Sequence, residues 1–174
     1  MKKVLWICLL LIVIGGVGAG VWFMRQSPAS EQMVSEDSST TDVSLLKLSE
    51  AYSKFDSIAY LKDYQTTTAA MTQLETGTNV IFFAPIKTSA DSLLKDSALN
   101  IEKFLPYHIV VSETPITVTE GTRLKTLDGM ELNVIKKDNN LYIRDAKGND
   151  VRLRKPFQAI NGTLYIIDSV LLTQ

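Results

Sequence analysis

The stretch NVIFFAP, Asn79 to Pro85, is the part of the sequence that most sharply indicates how the chain folds. Five consecutive apolar residues lie between the asparagine and the closing proline. A short apolar run rich in β-branched and aromatic residues and closed by proline is typical of a strand buried on both faces. We therefore predict a buried strand here, and the sequence on its two sides differs in periodicity.

The sequence before this strand has helical periodicity. Apolar residues recur at intervals of three and four, which predicts one amphipathic helical stripe. Its members are Leu45, Leu46, Leu48, Ala51, Tyr52, Phe55, Ile58, Ala59 and Leu61. Shorter helices are predicted at Thr68–Leu74 (ended by Gly77), up to Leu94 with a cap at Thr88 or Ser89, and at Leu99–Phe104.

The sequence after His108 has the pattern of short strands joined by tight turns. Asp128-Gly129 separates two alternating runs, which is a strong hairpin signal because both residues tolerate a positive φ. The triplets DNN and KGN separate the next strands, and Asn161-Gly162 precedes the apolar strand that closes the chain. Helices followed by antiparallel strands predict an α+β domain.

Four of these segments together resemble the signatures of the fasciclin domain family. They are VIFFAP, FLPYHIV, GTRLKTLDGMELNV and AINGTLYIIDSVLL, and their order along the chain is what makes the resemblance specific. The motif residues that match are Phe83, Ala84, Pro85, Tyr107, His108, Asn161, Gly162, Ile167 and Asp168. The chain departs from the family at Ile86, Lys87 and Ala90, where a threonine, an asparagine or aspartate and a phenylalanine are usual.

The resemblance carries expectations about fold and function. It implies an antiparallel β-wedge or sandwich flanked by short helices. It also implies a secreted or membrane-anchored protein that mediates adhesion or matrix contacts and is not an enzyme. In this family the Tyr-His motif has been tied to receptor binding.

The N-terminal part of the chain predicts a membrane anchor. Val4 to Phe23 contains no charge and is long enough to span a bilayer as a helix. Lys2 and Lys3 precede it, so the rest of the chain should be exported. We favour an uncleaved anchor over residues 1–24, with cleavage near Ala19 and secretion as the alternative.

Two further features of this segment bear on partners and redox chemistry. Gly16 and Gly20 form a GxxxG pattern, which suggests weak homodimerisation through the membrane helix; the alternative is a cluster of small residues at the end of a targeting segment. Cys8 is the only cysteine. The exported part therefore has no disulfide, cysteine nucleophile or cysteine metal site.

Residues 25–43 are acidic and rich in Ser and Thr, which predicts a disordered linker to a single domain at 44–174.

His108 is the only histidine, and three roles compete for it. Catalysis needs a serine or cysteine to activate or a carboxylate to orient the ring, and no such constellation accompanies it. A zinc site would need more His or Cys ligands. We favour a structural role in the core, with contact to a partner as the alternative. Strand alternation predicts that at most one of Tyr107 and His108 is deeply buried.

The charges are concentrated in the strand-rich half. Between Arg123 and Lys155 nine basic residues stand against five acidic ones, a net of +4, whereas the whole chain carries −1. Candidate binding residues are Arg123, Lys125, Arg144, Arg152 and Arg154. The alternation in RLK and VRLRK points Arg123 with Lys125, and Arg152 with Arg154, outward. The alternatives are a solvated strand face and a site for anionic glycans. Nucleic acid is not expected as a partner, because the domain is predicted to lie outside the cell and the basic runs RLK and VRLRK contain no stacking aromatics.

These observations predict a membrane-anchored, extracytoplasmic adhesion module that binds a cell-surface protein or glycan. The alternative is a binder of anionic surface polysaccharide through residues 123–155. No catalytic residue, metal or cofactor is predicted. Asp168 is expected to make structural hydrogen bonds. The sequence Asn161-Gly162-Thr163 fits a glycosylation sequon, which we interpret as a coincidence of the turn motif.

Overall fold

Strand β1, Val80–Pro85, is buried along its whole length, as predicted. The computed structural model describes residues 42–64, 68–94 and 101–173. On one face of β1 the side chains of Val80, Phe82 and Ala84 pack against the helical segments. On the other face Ile81 and Phe83 pack against the strands of the second half. The domain therefore has two hydrophobic clusters with β1 between them.

The helical stripe predicted from Leu45 to Leu61 is wrong as a single helix. The structure forms α1 (Leu48–Ala51) and two 3-10 helices, Tyr52–Lys54 and Ala59–Tyr64. Most stripe residues are buried, but Leu45 is 81% exposed. The broken helical turns still keep most of the stripe side chains in the core. Val43, the last residue of the predicted linker, is buried.

The remaining helices are α2 (Ala69–Thr76), α3 (Lys87–Leu94) and α4 (Ile101–Tyr107). The Thr68 hydroxyl accepts a hydrogen bond from the Met71 amide and caps α2, and Gly77 follows its last turn. The expectation that Thr88 or Ser89 caps α3 is wrong, because both residues lie inside the first turn. The Ser89 hydroxyl instead donates to the Ile86 carbonyl.

The strands that follow are β2 (Ile109–Val111), β3 (Arg123–Lys125), β4 (Glu131–Lys137), β5 (Asn140–Arg144), β6 (Asp150–Ala159) and β7 (Gly162–Ile167). The predicted meander is confirmed, since β3 to β7 pair antiparallel in chain order. Gly129 has a φ of 89° in the turn between β3 and β4, and both residues between β4 and β5, Asp138 and Asn139, also have a positive φ.

The expected antiparallel sandwich is wrong in one respect: the seven strands form a single mixed sheet in the order β2-β1-β7-β6-β5-β4-β3. Strand β1 lies parallel to β7, with Val80 opposite Gly162 and Pro85 opposite Ile167. The sheet is nearly closed, because its two edge strands approach each other. Val110 in β2 forms a β-bridge with Thr126, which follows β3. The Leu127 amide also donates to the Ile109 carbonyl at 2.7 Å.

A register shift in β6 between Leu153 and Pro156 explains how one strand serves both clusters. Before the shift, Val151 and Leu153 face the strand cluster. After it, Phe157 and Ala159 pack against the helical cluster. An extra residue in one strand reverses which side chains face each side of a sheet.

Among the described residues no helix is long and apolar enough to cross a membrane. The predicted anchor at Val4–Phe23, with Gly16 and Gly20, lies outside the described residues, as does the predicted linker up to residue 41.

Candidate functional site

His108 lies at the junction of α4 and β2 and is completely buried. Its Nδ1 is 2.9 Å from the Phe104 carbonyl oxygen, and its Nε2 accepts a hydrogen bond from the Leu171 amide at 3.0 Å. A backbone amide can only donate, so Nε2 must be unprotonated and Nδ1 must carry the proton. Both ring nitrogens are therefore occupied by backbone groups, and the prediction of a core role is confirmed.

The surroundings of His108 hold the imidazole neutral. The Phe104 ring lies 4.2 Å away between centroids and the Tyr107 ring meets it edge-on at 6.2 Å. Burial lowers the pKa of His108 to about 4, although the Phe104 carbonyl and the charge of Asp128 act in the opposite direction. A ring that is neutral at pH 7 and hydrogen-bonded at both nitrogens has no free position for proton transfer.

This arrangement makes stability depend on pH. The pKa of His108 falls from 6.5 in the unfolded chain to about 4 in the folded one. The stabilisation is therefore complete above pH 6.5 and is lost as pH falls toward 4. We expect the free energy of unfolding to drop by about 2 kcal/mol between pH 7 and pH 5 relative to the His108→Ala variant. Urea titrations of both proteins measure this difference, and parallel pH profiles would contradict it.

Tyr107 is also completely buried, so the expectation that only one of these two neighbours is buried is wrong. Tyr107 ends helix α4, and successive side chains on a helix diverge by about 100° instead of pointing to opposite faces of a strand. Its hydroxyl accepts a hydrogen bond from the Ala146 amide at 2.8 Å, and burial raises its pKa. Neither ring is at the surface, where a receptor would contact it.

Asp145 is a buried residue that the sequence analysis missed, with 5% of its surface exposed. Its Oδ1 accepts hydrogen bonds from the amides of Lys147 and Asn149, and its Oδ2 from the Leu172 amide and the Asn149 side chain. The run DAKGND could have predicted this role, since an aspartate that opens a turn commonly accepts hydrogen bonds from the backbone amides of that turn. Together, His108 and Asp145 bind two successive amides of the C-terminal segment.

Asn161, in the turn before β7, connects this turn to the helices. Its Oδ1 accepts from the Leu48 amide at 2.9 Å, and its Nδ2 donates to the carbonyls of Leu74 and Gly77. The amide nitrogen that glycosylation would modify is therefore already hydrogen-bonded within the fold. This supports the interpretation of the sequon as a coincidence.

Replacing Asn161 with alanine removes three hydrogen bonds to partly buried backbone groups. We expect Asn161→Ala to lower the free energy of unfolding by about 2 kcal/mol, because water can satisfy only some of these groups. Chemical denaturation of the two proteins measures the loss. Thr163→Ala, two positions on, removes one exposed side-chain contact to Gln158 and should change stability little. Equal effects of the two substitutions would contradict the role of Asn161.

Asp168 is partly exposed and follows the end of β7. Its Oδ1 accepts a hydrogen bond from Arg154 Nε at 2.6 Å. Within the described residues no hydrogen bond or ion pair joins Asp168 to His108. The other motif residues, Phe83, Ala84, Pro85 and Ile167, are buried in the core.

The predicted basic face exists, but part of its charge is neutralised. Arg123, Lys125, Arg144 and Arg152 are exposed, and the buried Leu124 lies between the first two. Arg144 and Lys137 both bind Asp150, and Arg154 binds Asp168. Arg123, Lys125 and Arg152 form no ion pair with another described residue. Arg144 and Lys137 bring two positive charges to the single Asp150 carboxylate, so one positive charge remains there in addition to these three exposed cations.

A comparison with protein-family models identifies the chain from its sequence. The fasciclin domain model matches residues 56–173, which is more than half of the chain. The chain belongs to the fasciclin domain family. The fasciclin domain is a module associated with cell adhesion, and the resemblance noted from the four motifs is confirmed.

Comparison with solved structures supports the same fold. The fasciclin domain of this chain is similar to a FAS1 domain pair from the insect cell adhesion molecule fasciclin I, with a TM-score of 0.59 and 14% identity. The match covers 73% of this chain and 51% of that one, so the chain spans about half the length of the domain pair. A search of curated proteins found no match. Within the described part of the fasciclin domain, no group of three acidic, His or Cys side chains could hold a metal ion.

Proposed function

We propose that this chain is an extracytoplasmic adhesion module: a membrane anchor at its N-terminus, a flexible acidic linker, and one fasciclin domain that binds a component of a cell surface. The domain acts by binding and carries out no reaction. The cation-rich outer strand face, and not the Tyr-His motif, supplies the contact surface.

The observation that carries this proposal is the hydrogen bonding of the buried His108 ring to backbone groups. Both ring nitrogens bind backbone groups, and the whole side chain is buried. The side chain best suited to acid–base catalysis, His108, therefore binds the Leu171 amide of the C-terminal segment and is not free to exchange protons with a substrate. Buried Tyr107 supports the same conclusion, because its hydroxyl is hydrogen-bonded to the Ala146 amide.

The anchor and the orientation are tested by locating the chain in cells. We expect the full chain to sediment with membranes, to keep its N-terminal methionine or the following lysine, and to lose its domain to external protease. Fractionation, N-terminal sequencing and protease protection measure these properties. Release of a soluble chain that begins near Gly20 would favour cleavage and secretion instead.

Adhesion is tested with the full chain purified in a non-ionic detergent and immobilised on beads. We expect such beads to retain intact cells that carry the partner, and beads with thermally unfolded chain to retain none. Retention that is equal on the two kinds of bead, or absent from all surfaces tried, would contradict the proposed function.

A second candidate function is binding of anionic polysaccharide through the basic face. It is favoured by the three exposed cations that have no ion-pair partner among the described residues. Since the contact is between exposed charges, binding should weaken steeply as salt rises. We expect Arg123→Ser with Arg152→Ser to elute from an anionic polysaccharide column at lower salt than the natural chain. An unchanged elution position would contradict this candidate.

A further inference from the structure

The C-terminal segment, residues 168–173, follows β7 and contains no helix or strand. Two of its side chains are buried, and they lie in different parts of the core. Val170 packs in the helical cluster, and Leu171 packs in the strand cluster. The segment therefore contributes to both clusters without a strand partner in the sheet.

Two side chains from elsewhere in the domain hold the backbone of this segment. The Leu171 amide donates to His108 Nε2 at 3.0 Å, and the Leu172 amide donates to Asp145 Oδ2 at 3.0 Å. His108 lies between α4 and β2, and Asp145 follows β5. An amide within a sheet is held by a backbone carbonyl, which does not titrate, whereas an imidazole and a carboxyl group both do.

The hydrogen bond to Leu171 exists only while the His108 ring is neutral. A second proton can bind only at Nε2, because Nδ1 already donates to the Phe104 carbonyl. A protonated Nε2 would face the Leu171 amide donor to donor, and this contact is repulsive. Protonation of the ring and attachment of Leu171 therefore exclude each other.

We propose that His108 and residues 169–173 form a pH switch. At neutral pH the imidazole holds the Leu171 amide in place. In acid a proton at Nε2 displaces this amide, and the segment leaves the core while the sheet keeps its pairing. Release presents the apolar side chains of Val170, Leu171 and Leu172 to solvent. The switch goes beyond the proposed adhesion function and does not depend on it.

Burial and the groups around His108 set the pH at which the switch operates. Burial lowers the pKa of the ring to about 4, and the Phe104 carbonyl and the charge of Asp128 oppose this shift. Release of the segment exposes the ring to water, which returns its pKa toward the ordinary 6.5. The released state therefore binds the proton more tightly, and the ratio of released to attached segment should rise about twenty-fold between pH 7 and pH 5.

The charged groups that face this region come from three elements. Asp128 lies in the turn between β3 and β4, and Asp145 in the turn after β5 binds the next amide of the segment. Asp168, at the start of the segment, is paired with Arg154. The α4 side chains packed on the ring, Phe104 and Tyr107, carry no charge.

The switch is tested by residue-resolved amide hydrogen exchange on the full chain in non-ionic detergent, expressed as protection factors. We expect the protection factors of Leu171 and Leu172 to fall about twenty-fold between pH 7 and pH 5. At both pH values they should stay at least about ten-fold below those of Phe82 in β1 and Ile166 in β7. Equal protection in the segment and the strands would show that the segment opens only by global unfolding, which would overturn the proposal.

Two substitutions identify the group that takes up the proton. His108→Gln supplies an amide oxygen that accepts a hydrogen bond at every pH, so the pH dependence of Leu171 exchange should disappear. Asp168→Asn removes the carboxylate that pairs with Arg154 and should leave this dependence unchanged. A dependence that survives in His108→Gln would assign the effect to a carboxyl group and would also overturn the switch.

If His108→Gln does not fold, the natural chain decides by nitrogen-15 NMR. The ring nitrogens of His108 and the amide of Leu171 should change with the same midpoint pH, while the signals of Phe82 and Ile166 persist. A Leu171 amide that stays unchanged as the ring protonates would contradict the switch. Loss of the strand signals together with that of Leu171 would contradict it as well.

Discussion

Gly162→Ala is expected to destabilise the fold more than any other single substitution considered. A Cβ at this position would lie 1.9 Å from the Val80 carbonyl oxygen and 2.7 Å from its carbon, both of which are backbone atoms of β1. Val80 and Gly162 are the first pair of the parallel β1–β7 contact, so the strands cannot separate locally without losing that contact. We expect a loss of about 4 kcal/mol or more, which exceeds most single substitutions.

The matched control is Gly121→Ala. Gly121 has a positive φ of 82°, but no atom lies within 4 Å of a Cβ placed there. Its substitution should cost only the backbone strain of a left-handed alanine, about 1 kcal/mol. Thermal and urea unfolding of the two variants separates close packing from backbone strain. Similar stability of the two would show that β1 and β7 are not in the contact described.

His108→Ala is expected to have the next largest effect, a loss of about 3 kcal/mol in the free energy of unfolding. The substitution leaves the Leu171 amide and the Phe104 carbonyl without their partner and opens a cavity beside the Phe104 ring. Buried polar groups that lose their partners are costly because water cannot reach them.

The control for this variant is Val111→Ala, three residues further along the chain. Val111 ends strand β2 and is 38% exposed, so its truncation should cost less than about 1 kcal/mol. Urea unfolding measures both variants. A His108→Ala chain as stable as Val111→Ala would indicate that the imidazole is accessible to solvent and available for contact with a partner.

The features that sequence predicted well are those encoded locally. The apolar run of β1 and the Asp128-Gly129 turn each depend on a few adjacent residues, and both are present. The alternation that turns Arg123 and Lys125 outward around Leu124 is also local. Periodicity and turn chemistry act over distances that a single sequence displays directly.

The features that sequence missed depend on contacts between distant residues. The parallel pairing of β1 with β7 joins segments about eighty positions apart, and a strand's own pattern does not name its partner. The burial of Asp145 follows from the Leu172 amide, which reaches it from the end of the chain. Strand alternation predicts that Tyr107 and His108 point to opposite faces, but Tyr107 ends α4, where both side chains can be buried.

The sequence also does not show which arginines form ion pairs with aspartates. Arg144, Arg152 and Arg154 look alike in the sequence, yet two of them are bound to aspartates in the structure. Which cation remains available depends on the register of β5 against β6 and on where β7 ends. The proposed ligand site is therefore a consequence of the assembled sheet.

The role of His108 in the core is tested most directly by the protonation state of its ring, observed by nitrogen-15 NMR on the full chain in detergent. We predict a neutral imidazole at pH 6, protonated at Nδ1 and unprotonated at Nε2, with a pKa well below the ordinary 6.5. A ring that titrates near 6.5 and exchanges rapidly with solvent would contradict the claim that His108 is committed to the core.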